Sequence, residues 1–341
     1  MNVRAIVVGE KVEGVSSKRA FVMYSELTDT DNKLWLVRGL LGLGEASAVY
    51  GQPGCGKSVL VEDMALHIAA GRDWHGKPVQ RGAVVYVALE RKKLVERRAR
   101  AFRKKHGLDD LPFAIVGGVY DFRIPATAAW LEDICDQVTK LTGDKVVLII
   151  IDTLSRALAG GDENSPKDMG GIVNATAHIQ EKTGSHVLWV HHMPHDGDRM
   201  RGHGALLGAM DTTIHVIKSA SGRSATVVKA NDSEEGECVD FDLESIEVGT
   251  DGTTAPVVIA SNQTRGRSVA SEPKLKGNQQ TMFAILHSAG SAGLTIEQWN
   301  TEAREAGIGL KRRPDLYDVR TQLKAKGLVR EYGERWTVVH K

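Results

Sequence analysis

Cysteine is scarce in this 341-residue chain: Cys55, Cys135 and Cys238 lie far apart and never form a CxxC pair. That scarcity excludes a disulfide framework and a cysteine-built zinc site, and it points to a reducing compartment. Long apolar runs are missing as well. Runs such as VVLIII at 146–151 are far too short to cross a bilayer, and the N-terminus lacks the charged-then-apolar layout of a secretory leader. A cytoplasmic location is the expectation. There is almost no excess of either charge. A formal net charge of +1 excludes a chain that is polybasic or acidic throughout. The distribution is uneven, however. Residues 272–341 hold 12 Lys and Arg against 8 Asp and Glu, while the remainder is slightly acidic. A basic C-terminal module suggests a polyanion as its partner.

Apolar content of 42% and charged content of 26% are those of an ordinary globular protein. Short apolar, β-branched runs alternate with helical stretches. The runs are ASAVYG, AVVYVALE ending at Glu90, KVVLIIIDT at 145–153 and SHVLWVHH at 185–192. The helical stretches fall near 58–70, 92–105, 126–142 and 167–182. This order predicts an α/β fold with a mostly parallel sheet covered on both faces. Residues 212–248 alternate with turn signals instead, as antiparallel edge strands would. The expected organisation is an arm over 1–33, a core over 34–260, a polar linker over 261–277 and a small domain over 278–341. That last segment reads as helices at 278–288, 295–306 and 314–326, then two strands around a turn at Tyr332–Glu334. Three helices followed by a hairpin is the order of a winged helix.

GQPGCGKS, Gly51 to Ser58, matches G-x-x-x-x-G-K-[ST] after a strand and before a helix. Gly51, Gly54 and Gly56 let backbone N–H groups turn inward around phosphate oxygens. Gln52, Pro53, Cys55 and Val59 complete the cradle, and the helix N-terminus adds partial positive charge. Lys57 would neutralise the β- and γ-phosphates of ATP, and Ser58 would offer an oxygen to Mg²⁺. Asp152 ends an apolar strand, where a carboxylate can hold the water shell of Mg²⁺. Glu90 ends another, where a carboxylate can orient and deprotonate a water. The basic run RKKLVERRARAFRKK at 91–105 carries a helical apolar side through Leu94, Val95, Arg98, Ala101 and Phe102. Its charges therefore read as a solvated face.

Together these motifs resemble the RecA-like ATPases, and more closely the RepA-like replicative helicases of plasmids, phages and genomic islands. The matching pieces are WLVRGLL, YGQPGCGKS, GRDWHGKPVQRG, IIIDTLSRALAGGDENSPKDMG, HVLWVHHMPHDGDRMRGHGAL and VVKANDSEEG, spread over residues 34–250. The resemblance implies a RecA-like core, a homo-oligomeric ring (a hexamer above all) and DNA as partner. It implies that His192 senses the γ-phosphate and couples it to the adjoining loop. The segments Arg156–Gly171 and Met193–Leu207 would face single-stranded DNA in the channel, with Lys167, Arg199 and Arg201 as phosphate contacts. Lys229 matches the basic finger given to a neighbouring subunit, and Arg201 is the second choice. Where the plasmid helicases carry their finger arginine, this chain has Asp211.

In the C-terminal module, Leu316, Val319 and Leu323 can pack inward. Tyr317, Arg320, Thr321 and Lys324 then share the other side of the helix and could meet duplex DNA, with Arg335 on the wing. The expected function is an ATP-driven DNA motor of ring-helicase type. A recombinase-like filament former and an ATP-switched DNA-binding regulator are the alternatives.

Overall fold

The computed structural model describes residues 23–26, 33–192, 204–219, 222–236, 238–261, 275, 277–290, 293–308, 314–326, 328–332 and 335–339. The chain divides into two units, Met1–Ala260 and Ser261–Lys341. Of the arm, Met23–Glu26 and Lys33 are described, with a 3₁₀ turn at Tyr24–Glu26. Most of the linker expected at 261–277 lies outside the described residues.

The first unit begins with a short antiparallel pair, β1 (Trp35–Val37) and β2 (Leu41–Gly42). The strands β3 (Ala46–Gly51), β4 (Ala83–Ala88), β5 (Phe113–Gly117), β6 (Val146–Asp152), β7 (His186–His192), β8 (Thr212–Ser219), β9 (Gly222–Ala230), β10 (Cys238–Glu247) and β11 (Thr254–Ala260) form one sheet. Its spatial order is β11-β10-β9-β8-β3-β7-β6-β4-β5. Pairing is parallel from β5 through β8 and antiparallel from β8 to β11. The sheet is thus large, mixed and mostly parallel. Between its strands run α1 (Lys57–Ala70), α2 (Lys92–His106), α3 (Pro125–Thr142), α4 (Leu154–Ala157), α5 (Pro166–Thr183) and α6 (Gly204–Ala209).

Burial on both faces explains the unbroken apolar runs. Along β4, Val84, Tyr86 and Ala88 join the core that packs on α1, while Ala83, Val85 and Val87 join the core under α3 and α5. Along β6, Leu148 and Ile150 go one way and Ile149 and Ile151 the other. Side chains on a strand alternate faces, so each core takes every second residue. Sequence reading passed over β5 and β11, the two edge strands. β5 is only half-buried, and β11 contains Pro256, which a sheet tolerates at its edge. The loop expected at Met193–Leu207 also ends early: α6 starts at Gly204 and buries Leu206 in the second core.

The second unit contains α7 (Asn278–Ser288), β12 (Leu294–Thr295), α8 (Ile296–Glu305), α9 (Pro314–Ala325), β13 (Val329–Tyr332) and β14 (Arg335–Val338). Its strands pair antiparallel in the order β12-β14-β13. Thr295 and Gln298 form a reciprocal cap that starts α8. Trp299 fills the centre of the unit and donates its indole N–H to the Met282 carbonyl at 2.9 Å. One expectation is corrected here. Arg320 is only 9% exposed, not on the outer side of α9. Leu316, Val319, Arg320 and Leu323 follow the i, i+3, i+4, i+7 stripe that faces a core. The Arg320 guanidinium lies 5.7 Å from the Trp336 ring centroid and donates to Asn300 Oδ1 at 3.1 Å. Tyr317, at 63% exposure, and Lys324 do face outward.

His186 at the start of β7 ties the core to pH. Its Nδ1–H donates to the Gly42 carbonyl at 2.7 Å, so Nε2 accepts from the Ser47 hydroxyl, also at 2.7 Å. Burial lowers its pKa from 6.5 to about 4, so the unfolded chain takes up the proton first. The stabilisation is complete above about pH 6.5 and is lost as pH falls toward 4, a total of ~3 kcal/mol for this group. Urea unfolding of His186→Gln across that interval should show a visibly flatter pH dependence than the parent chain. An unchanged slope would remove His186 from the acid response.

Candidate functional site

The parallel register brings four strand ends level. Ala88 pairs with Asp152, Asp152 with Val190, and Gly51 with His192. β7 lies between β3 and β6, so its last residues stand between the glycine-rich loop and Asp152. Residue parity does the rest. Asp152 follows Leu148 and Ile150, and His192 follows Leu188 and Val190, all on the α1 face. Glu90 lies just past β4. His191 takes the opposite parity and is fully buried. Pro53, Gly54, Gly56, Lys57, Ser58, Val59, Glu90, Asp152, Thr153 and His192 thus line one cavity of about 330 Å³.

Glycine is required in the loop for two different reasons. A Cβ on Gly51 would lie 2.2 Å from the Val216 carbonyl oxygen of the neighbouring strand. Gly56 has φ +106°, and a Cβ there would sit 3.2 Å from Arg223 and 3.3 Å from Phe241. α1 begins immediately after Gly56 with no side chain capping its first N–H groups. Those donors and the helix dipole favour an anion at this end. Cys55 is buried beneath the loop, and the Gln52 carbonyl accepts from its backbone N–H. Lys57 is buried and donates to the carbonyls of Gly51 at 2.8 Å and Gln52 at 3.0 Å. Burial lowers its pKa, against the pull of Cys55, Asp152 and Glu90.

The acids occupy different environments. Asp152 is buried and accepts the Tyr86 hydroxyl at 2.7 Å and a hydrogen bond from Ser58. Burial raises its pKa, and those two hydrogen bonds oppose the rise. Glu90 sits nearer solvent. One oxygen, Oε1, takes the Thr153 hydroxyl at 3.0 Å, with Arg156 Nε at 3.6 Å and His192 Nε2 at 3.9 Å. The His192 pKa is lowered, first by burial and then by Lys57, so its ring is neutral near pH 7 and can both donate and accept. The arrangement offers an anion cradle with one ammonium. Beside it stand a hydroxyl–carboxylate pair of hard oxygens suited to a divalent cation and a second carboxylate at the rim.

Other expected residues fall elsewhere. Lys229 on β9 donates to the carbonyls of Leu207, Gly208 and Met210, capping α6, and it is not among the cavity's lining residues. Asp211 accepts the Ala46 N–H at 2.9 Å and Asn231 at 3.0 Å, bracing the start of β3. Lys167 is exposed in the first turn of α5. Arg199 and Arg201 lie outside the described residues. In the second unit Lys324 pairs with Glu331 at 3.5 Å, and Arg335 donates to the Gly293 carbonyl at 3.0 Å.

The sequence does not mark Thr153 or Arg98 as cavity residues, nor Tyr86 and Arg156 as partners of Asp152 and Glu90. Tyr86 shares its parity with Glu90 along one strand, which was a usable signal. Arg98 was assigned to the packing side of α2. Its side chain is indeed largely buried, yet it also lines the cavity. The outer charges of α2 bond along the surface, with Lys104 on the Glu247 carbonyl and Lys105 on Glu244.

The sequence profile of the AAA domain family matches residues 19–198, more than half of the chain. No curated protein matches. Described residues include no helix long and apolar enough to cross a membrane.

Gly51→Ala tests the cradle. The clash with a backbone carbonyl of β8 should lower affinity for a fluorescent ATP analogue by more than about tenfold, because anion binding depends on aligned loop N–H groups. Wild-type affinity in this variant would mean that the loop does not hold phosphate.

Proposed function

Given that the chain belongs to the AAA domain family and is a P-loop ATPase, we propose that it is a DNA motor of ring-forming, replicative-helicase type, hexameric in its working state. The observation that carries this reading is the meeting of the glycine loop, Lys57, Asp152, Glu90 and His192 in one cavity. Loop N–H groups and Lys57 bind the phosphates of ATP. Ser58 and Asp152 are the oxygens that would hold Mg²⁺, which supplies charge neutralisation to the phosphates when bound. Glu90 orients a water and takes its proton as it attacks the γ-phosphorus, while the bond from that phosphorus to the β–γ bridging oxygen breaks and ADP leaves. His192, neutral and 3.9 Å from Glu90, can donate to a phosphate oxygen and carry that signal to the segment that follows it.

The DNA part rests on other features. The turn after α4 is braced by Asp168 of α5, which accepts the Asp162 N–H at 2.9 Å and is reached at 3.2 Å by Arg123, itself forked onto Asp121 at 2.8 Å. This support suits a loop that presents Arg156 and Lys167 to a strand of phosphates. Arg199 and Arg201 belong to the same reading by sequence. With the Lys229 ammonium occupied in capping α6, Arg201 gains weight as the basic finger toward a neighbouring subunit. The second unit runs helix, strand, helix, helix, hairpin, the order of a winged helix. Tyr317 and Lys324 are its outward groups for duplex DNA, while Arg320 supports them from inside.

Lys57→Ala should abolish ATP hydrolysis. Glu90→Gln should keep nucleotide binding and lose turnover by ~100- to 10,000-fold; near-normal turnover would remove Glu90 from its role. The motor reading requires ATP-dependent strand displacement on forked DNA that Lys57→Ala lacks. ATP hydrolysis without displacement or translocation on any DNA geometry would favour an ATP-switched DNA-binding regulator.

A further inference from the structure

Glu62 is a carboxylate where an apolar residue would be expected. It lies on α1 one turn after Ser58, is 1% exposed, and shares a small hollow with Val59, Leu66, Phe102 and Val257. Neither carboxylate oxygen has a hydrogen-bond partner among the described residues. Its charge partner is Arg98 of α2, whose guanidinium approaches to 3.6 Å. At that distance the contact is an ion pair, not a hydrogen bond. Burial raises the Glu62 pKa well above its ordinary value, and Arg98 is the strongest influence in the other direction. The Arg98 side chain is itself only 14% exposed, and it is one of the residues that line the nucleotide cavity.

A buried pair of this kind costs desolvation on both sides, and two well-packed apolar residues would stabilise the helix contact as well or better. The position of the pair argues for another use. A triphosphate brings more negative charge than the Lys57 ammonium offsets, and a guanidinium in a water-poor wall interacts strongly with it. Resting on the nucleotide-site reading above, we propose that Arg98 is a second cation of that site, contacting the bound nucleoside triphosphate from the α2 side, and that Glu62 is the positioning residue that holds its guanidinium in the wall.

Equilibrium titration with a fluorescent ATP analogue and Mg²⁺, alongside thermal melting, tests this on the full chain. Arg98→Met should weaken binding by roughly ten- to hundredfold, the effect of losing one charge-assisted hydrogen bond. Arg98→Lys should retain part of the affinity. Glu62→Gln should weaken binding less than Arg98→Met, and should add nothing in the Arg98→Met background. The decisive variant is the double replacement Glu62→Met with Arg98→Met. It removes both charges together, so no unpaired buried ion remains to unfold the protein. If the pair serves only to clamp α1 on α2, this variant binds nucleotide like the parent chain, and the proposal is overturned. If it melts like the parent but binds as weakly as Arg98→Met, the proposal stands. Absence of binding by the parent chain would overturn the nucleotide-site reading itself.

Discussion

Everything at the site depends on the parallel pairing of β3, β7, β6 and β4 in one register. Parallel pairing makes all four strands end at the same edge. Alternation then sends Asp152 and His192 to the face covered by α1, the helix that the glycine loop opens. A slip of one residue in β6 would turn Asp152 toward α3 and α5 and lead an isoleucine into the cavity. That outcome is resisted by two cores at once, because each face of β6 is buried against a different layer. The chemistry is therefore protected by packing that has no chemical role of its own.

Low exposure also sets the electrostatics. Asp152, Lys57 and Glu62 are buried charges, each costly alone. They persist because each has a counterpart: Tyr86 and Ser58 for Asp152, loop carbonyls for Lys57, Arg98 for Glu62. Glu90 differs in lying at the rim, where its Oε1 gathers Thr153, Arg156 and His192. Arg156 is 67% exposed, so the carboxylate nearest solvent is also the one linked to an outer cation. A carboxylate proposed to exchange protons with water belongs at such a boundary, whereas one proposed to hold a metal belongs deeper.

Several cations serve the fold before they serve a ligand. Lys229 caps a helix, Arg320 fills the stripe beneath Trp336, and Arg123 ties the segment before α3 to α5. Long cationic side chains have apolar stems that bury well and forks or ammonium groups that satisfy carbonyls, so a positive charge in a loop or helix pattern is weak evidence of a polyanion surface. Arg98 shows the intermediate case, with its stem in the core and its charge shared between a buried acid and a cavity.

The α/β order, the phosphate loop and the acids at strand ends were legible in the sequence. Each is a local signal: an apolar run, a glycine spacing, a carboxylate closing a strand. Alternation along one strand is local too, and it sends the neighbours His191 and His192 to opposite faces. What only the tertiary structure decided are pairings between distant segments. Edge strands carry weak patterns: β5 is half-buried throughout, and β11 is interrupted by Pro256. Glu62 with Arg98, Tyr86 with Asp152, and Lys229 with the end of α6 are contacts between residues 19 to 66 positions apart. Arg320 went inward because the apolar stripe of α9 is four residues wide per two turns, and charge alone does not say which edge of the stripe a long side chain will cover. Spacing along the chain determines which face a residue occupies; the partner it meets there is determined by the element packed on that face.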